Sequence, residues 1–106
     1  MFARSVSFHL KPGRSAEFTQ LFDKDIVPLL RKQKGFQDEI ALVAPAGAEA
    51  LAISVWDLKE NAEIYARNAY PDVLKALTPV LEGTPRVQTY DVMSSTFHKI
   101  VAPLTT

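Results

Sequence analysis

Apolar residues recur at every second position in some stretches of the chain and at every third or fourth position in others. At the N-terminus Phe2, Val6, Phe8 and Leu10 alternate with small and polar residues, which predicts a β-strand with one apolar face. Arg4 falls on the same side as these apolar residues. We therefore expect Arg4 to lie near an edge or an opening of the core.

Helical spacing follows the tripeptide KPG at 11–13, and it predicts a helix up to Gly35. Ser15 is the expected N-cap, and Gly35 the expected left-handed end. Pro28 lies inside this pattern and removes one helical hydrogen bond, so we expect a kink near Val27. The apolar residues with helical spacing are Phe18, Leu21, Phe22, Ile26, Leu29 and Leu30.

The next two apolar stretches, joined by the turn sequence APAGAEA at 44–50, predict a hairpin. In the first stretch, residues 36–43, the alternation places four residues on one side: Phe36, Asp38, Ile40 and Leu42. In the second stretch Leu51, Ile53 and Val55 form one face, and Ala52, Ser54 and Trp56 form the other.

A second helical region and a last strand complete the pattern. Asp57 and Glu60 have the spacing of a capping box, which predicts a helix start directly after Trp56. The sequence YPDV at 70–73 predicts a restart of the helix, and Gly83 is the expected stop. Alternation returns over 86–96, which predicts the last strand.

The predicted order of elements is strand, helix, strand, strand, helix, strand. It is typical of the ferredoxin-like split βαβ arrangement, an α+β fold with an antiparallel sheet and helices on one face. We assign residues 1–96 to this domain and 97–106 to a C-terminal tail. The helices leave the other sheet face open, and we expect that face to bind a second copy of the chain and enclose a cavity. Its expected residues are Ser5, Ser7, His9, Ser54, Trp56 and Tyr90.

Composition narrows the function classes. The 106 residues include 12 basic and 12 acidic side chains without a basic patch, which argues against nucleic-acid binding. The chain has no cysteine, and its two histidines are far apart in sequence, so no metal site is predicted. No apolar run is long enough to cross a membrane. We therefore expect a cytoplasmic protein.

Four short stretches together resemble the antibiotic biosynthesis monooxygenase domains of the dimeric α+β barrel superfamily. They are KPG at 11–13, KGF at 34–36, the hairpin, and VWDLKENAEIY at 55–65. The resemblance spans about residues 2–95. Trp56, Asp57 and Glu60 match the family's signature, whereas Tyr65 stands where the family often has histidine.

The resemblance implies a small homodimer that oxidises a planar aromatic or hydroquinone-type molecule, in which the substrate itself activates oxygen and no cofactor is needed. The alternative is a non-catalytic dimer of the same fold that binds a small ligand or acts as a scaffold. A haem-binding role, also found in the superfamily, would need His9 or His98 as axial ligand.

Five residues are candidates for the site. His9 and Tyr65 are the catalytic candidates, because imidazole transfers protons near neutral pH and a phenol can stabilise developing negative charge. Ser7, Trp56 and Tyr90 are the candidates for the ligand pocket. Each has a structural alternative: His9 can be exposed or satisfied at an interface, Tyr65 can be a packing residue, and Trp56 can fill the junction between helix and sheet.

Overall fold

The computed structural model describes residues 1–98 and residue 100. It contains one antiparallel sheet of four strands in the order β2-β3-β1-β4, with the helices on one face. The predicted ferredoxin-like α+β fold is confirmed. The elements are β1 (Phe2–Leu10), α1 (Ser15–Leu21), a π-helical segment (Phe22–Ile26), α2 (Val27–Arg31), β2 (Phe36–Val43), β3 (Glu49–Trp56), α3 (Lys59–Asn68), α4 (Tyr70–Leu77), a 3₁₀ turn (Thr78–Val80) and β4 (Leu81–Asp91).

The first helical region is interrupted at the place that Pro28 predicts. The π-helical segment directly precedes Val27, and Pro28 lies in the first turn of α2. Proline has no N–H to donate and its ring crowds the carbonyl one turn earlier, so a wider turn relieves both problems. The expected cap is wrong, because Ser15 is already inside α1 and Arg14 occupies the capping position without a side-chain bond.

The end of the first helical region packs against the start of the second. Gly35 has a φ of +81°, as predicted for a left-handed end, and its carbonyl accepts a hydrogen bond from the Asp57 N–H at 2.9 Å. The Asp57 carboxylate accepts bonds from the Leu58 N–H at 2.6 Å and from the Asn61 amide at 2.8 Å. The predicted capping box is wrong, since Leu58 holds the capping position of α3 and Glu60 makes no capping bond.

The last strand begins earlier than the alternation predicts. It starts at Leu81, so Gly83 lies inside β4 with a φ of +70° and does not end a helix. The pairing with β1 shifts in this region, from Ser7 opposite Arg86 to His9 opposite Glu82. These two extra residues form a bulge, in which Gly83 adopts a backbone conformation that other residues rarely do.

The two faces of the sheet differ from the prediction at three positions. Phe36 and Trp56 pair on the helix-covered side, and Ser54 is buried on the same side opposite Arg4. Ser54 and Trp56 were expected on the open face, and that expectation is wrong. The strand pairing shifts by one residue between Phe36 and Asp38, so Phe36 faces the helices while Asp38 faces away from them.

The core lies between the sheet and the helices. It includes the aromatic residues Phe8, Phe18 and Phe22, whose neighbouring rings have centroids 5.6 Å apart. No helix within the described residues is both long and apolar enough to cross a membrane. Of the predicted tail, residue 99 and residues 101–106 lie outside the described part of the chain.

Candidate functional site

A cavity lies between the helix-covered face of the sheet and the helices. Its polar lining comes from separate elements: Arg4 from β1, Glu39 from β2, Ser54 from β3, Tyr65 from α3 and Tyr70 from α4. Apolar core residues, namely Val6, Phe8, Phe22, Ile26, Leu30, Ala52 and Val73, complete it. The cavity volume is about 20 Å³, which is enough for about one ordered water molecule.

Arg4 provides the positive charge of this cavity. The residue is 5% exposed, and none of the ion pairs between described residues includes it. Its guanidinium carbon lies 3.9 Å from the ring centroid of Tyr70 and 5.5 Å from that of Tyr65. A buried cation held by aromatic faces and by no carboxylate has unused capacity for an anion.

The two tyrosines remain neutral phenols at physiological pH. Burial raises the pKa of Tyr65 to about 12, and the positive charge of Arg4 only partly opposes this. Burial also raises the pKa of Tyr70, again against the charge and hydrogen bond of Arg4. Both hydroxyls therefore keep their protons, and a phenol O–H close to a guanidinium can donate to a bound oxyanion.

Trp56 contacts two residues of the cavity, Tyr65 and Ser54. Its side chain is fully buried, its ring centroid lies 4.9 Å from that of Tyr65, and its Nε1–H donates to Ser54 Oγ at 2.9 Å. Ser54 Oγ in turn lies 3.5 Å from the Arg4 carbonyl oxygen, to which it donates. Trp56 thus fills the junction between helix and sheet and fixes the Tyr65 ring.

Glu39 and Tyr70 line the cavity but were not among the residues that the sequence predicted for the site. Burial, and to a lesser extent the negative charge of Asp23, raises the pKa of Glu39 from 4.5 to about 7. The alternation from Phe36 onward gave no signal for this residue, because the bulge in β2 reverses the faces. Arg4 did leave a visible signal, a lone cation on an otherwise apolar strand face.

The predicted site residues fall into two groups that lie on opposite faces of the sheet. Tyr65 and Trp56 are on the helix side, at the cavity. Ser7, His9 and Tyr90 are on the open face, where the Tyr90 hydroxyl donates to Gln88 Oε1 at 2.9 Å. The structure therefore does not bring the five predicted residues together in one site.

His9 is exposed at one end of the open face. Its Nδ1 lies 3.8 Å from Glu49 Oε1, and both side chains are about two-thirds exposed. The other histidine, His98, contacts the Asp38 carboxylate through Nε2. Within residues 1–98 and 100, no three histidine, aspartate or glutamate side chains are grouped as a metal site would require.

The half of the open face that β2 and β3 form is largely apolar. Ile40 and Leu42 are 49% and 46% exposed, and Leu51, Ile53 and Val55 beside them are half-buried. Phe97 borders a hollow on this face next to Ile40, Ile53 and Val55, but the Phe97 side chain is itself 81% exposed.

The sequence matches no protein-family model, and a search of curated proteins finds no significant relative. Solved structures do resemble the chain. A Bordetella bronchiseptica protein assigned to the antibiotic biosynthesis monooxygenases superimposes with a TM-score of 0.74 at 16% identity, over 88% of this chain and 97% of that chain. The chain has the fold of the antibiotic biosynthesis monooxygenases.

Two further neighbours with this monooxygenase fold come from Streptomyces. SnoaB, a cofactor-independent oxygenase from Streptomyces nogalater, has a TM-score of 0.73 at 18% identity, over 90% of this chain and 95% of that chain. A monooxygenase from the ActVA-Orf6 gene of Streptomyces coelicolor, in complex with nanaomycin D, has a TM-score of 0.73 at 17% identity, over 96% of this chain and 91% of that chain. At these identities the likeness establishes the fold.

Proposed function

We propose that the protein is a cofactor-independent monooxygenase that acts on a small, planar, electron-rich phenol such as a hydroquinone. The observation that carries this proposal is the buried Arg4 guanidinium, which has no carboxylate partner among the described residues and lines a cavity together with two neutral tyrosines. The fold shared with oxygenases, one of them cofactor-independent, supports the same reaction class.

The cavity residues suit a reaction in which the substrate supplies the electrons. A hydroquinone reacts with O₂ to give a hydroxyquinone and water, so one oxygen atom enters the ring and the other leaves as water. This stoichiometry needs no external reductant. The protein's part is to exclude water, orient the ring and stabilise the phenolate that reacts with oxygen. In this proposal Arg4 supplies the positive charge for that anion, and the Tyr65 hydroxyl donates a hydrogen bond to it.

A ligand of this size needs the cavity to expand. The cavity volume of about 20 Å³ holds only about one water molecule. Tyr70, which is half-buried and begins α4 directly after a break in the helices at Ala69, is the lining residue most easily displaced. We infer that the Tyr70 ring leaves the guanidinium of Arg4 when the substrate enters, and that the substrate ring replaces it there.

The same small volume favours a second candidate function, a non-catalytic dimer whose cavity is filled by its own side chains. Mass spectrometry of ligands carried through purification separates the two. A planar phenolic compound that co-purifies reproducibly supports a ligand site, whereas a ligand-free protein that also consumes no oxygen supports the scaffold.

We further infer that a second copy of the chain covers the open face of the sheet. The exposed side chains of Ile40 and Leu42 support this, because contiguous apolar surface of this kind is typical of an interface. In this arrangement Ser7, His9 and Tyr90 lie at the contact between subunits and not in the cavity that holds Arg4.

Oxygen consumption with a panel of hydroquinones, in the presence of a metal chelator and without added flavin, tests the activity. Arg4→Met removes the charge and keeps the length of the side chain, so we expect kcat/KM to fall about 100-fold or more. Arg67→Met is the matched control, since Arg67 is exposed on α3. Equal oxygen uptake by the wild type and Arg4→Met would refute the assigned role of Arg4, and no uptake with any hydroquinone would refute the activity.

A further inference from the structure

Glu39 lines the cavity, and one of its carboxylate oxygens has no partner in the described part of the chain. The bulge in β2 directs the side chain to the helix side, where Glu39 pairs with Ser54 of β3. The residue is half-buried, but its Oε1 atom has almost no exposed surface and no hydrogen-bond partner among residues 1–98 and 100. An unsatisfied buried acceptor is costly in a folded protein, so a proton donor at this place would be stabilised.

The charged and titratable groups around Glu39 come from four elements. Asp23 of the π-helical segment lines a neighbouring hollow with Glu39, and its negative charge makes ionisation of Glu39 less favourable. Arg4 of β1, Tyr65 of α3 and Tyr70 of α4 line the main cavity with it. Arg4 and Glu39 share that cavity without an ion pair, so an anion bound by Arg4 and a proton bound by Glu39 are compatible.

We propose that Glu39 is the proton acceptor of the cavity: it takes the hydroxyl proton of a bound phenol, and Arg4 and Tyr65 stabilise the phenolate that remains. The O–H bond of the phenol breaks, its electron pair stays on the phenol oxygen, and the proton goes to Oε1 of Glu39. This assignment relies on the proposed function for its substrate class. The pKa of Glu39, about 7, suits this role, because a base that titrates near the working pH accepts protons efficiently and returns them.

The test uses 3-nitrophenol as a spectroscopic probe, because its anion absorbs in the visible region and the free phenol is still largely neutral in water at pH 7.5. With the probe bound to the wild type at pH 7.5, where the Glu39 carboxyl is mostly ionised, we expect the anion band. With Glu39→Gln we expect the neutral spectrum and an anion fraction at least threefold lower. The glutamine is isosteric and neutral, so the variant should fold, which circular dichroism checks. Glu82→Gln is the matched control, since Glu82 is exposed on β4, and it should behave as the wild type.

Oxygen uptake is the second readout. With a hydroquinone, Glu39→Gln should lower kcat about 100-fold or more and abolish the rise in rate with pH that is centred near 7, and Glu39→Asp should restore part of the rate.

The outcomes test the role of Glu39 and the oxygenase activity separately. An anion band that persists in Glu39→Gln would overturn the role of Glu39, because Arg4 alone would then ionise the phenol. Failure of the wild type to bind the probe, or binding only as the neutral phenol, would overturn it as well. A Glu39-dependent anion band without oxygen uptake would keep the proton acceptor and refute the oxygenase.

Discussion

Replacement of Glu39 by glutamine should change how the stability of the protein depends on pH. The folded protein holds the pKa of this carboxyl at about 7, against an ordinary value of 4.5. Between these two pH values the folded state therefore binds more protons than the unfolded state. The free energy of unfolding must then fall as the pH rises through this interval, and the contribution of Glu39 is constant outside it.

The size of the effect follows from the difference between the two pKa values. At about 1.4 kcal/mol per pH unit, the difference between 4.5 and about 7 sets an upper limit of about 3.4 kcal/mol. Glu39 is only half-buried, so solvent screening reduces this figure, and we expect about 1 to 2 kcal/mol. Glutamine does not ionise and removes the whole contribution.

Urea unfolding of the wild type and of Glu39→Gln at pH 4 and at pH 8 measures this effect. At pH 4, below both pKa values, the two proteins should have similar stability, and at pH 8 the variant should be more stable by about 1 to 2 kcal/mol. All other titrating groups contribute equally to both proteins, so they cancel in the comparison. Asp23→Asn is a second variant, which should lower the pKa of Glu39 and reduce the pH dependence without abolishing it.

Parallel pH dependence in the wild type and Glu39→Gln would refute the reasoning. It would mean that Glu39 is solvated like an ordinary surface carboxylate, and the environment that we assign to its Oε1 atom would be wrong. A variant that loses stability at both pH values would instead indicate that the carboxylate makes a stabilising contact.

Gly35→Ala should destabilise the fold by about 2 to 4 kcal/mol in urea unfolding, because the residue has a positive φ and an added Cβ would clash with the Asp57 carboxylate; a change below about 0.5 kcal/mol would contradict this. Trp56→Ala should cost about 3 to 5 kcal/mol, since the side chain is fully buried. His9→Ala should change stability by less than about 0.5 kcal/mol and leave phenol binding unchanged. A loss of phenol binding in this variant would show that His9 belongs to the binding site. Leu42→Lys should convert a dimer into a monomer in light scattering with an unchanged circular dichroism spectrum, whereas a wild type that is already monomeric would refute the interface.

The sequence predicts the fold well where local chemistry decides the structure. Alternation identifies β1, including the place of Arg4 among its apolar residues, and the prolines locate the interruptions at Val27 and Tyr70. It predicts the last strand less well, because Gly83 has a positive φ that suits a helix end and a β-bulge equally.

The composition of the cavity depends on tertiary structure. Single-residue shifts of register reverse the face of every later side chain, so the bulge in β2 decides that Glu39 reaches the helix side. In β3, Ser54 and Trp56 face the helices, whereas Leu51, Ile53 and Val55 face away from them. Both faces of this strand carry apolar residues, so alternation alone does not show which face the helices cover.

The order of the strands and helices, and therefore the fold class, was determined by the sequence alone, because periodicity and turn residues act over a few neighbouring positions. Only the tertiary structure brought Arg4, Glu39 and Tyr65 into one cavity. These residues are far apart in the chain and belong to three different elements, and their meeting depends on sheet pairing and on the register set by the bulge in β2.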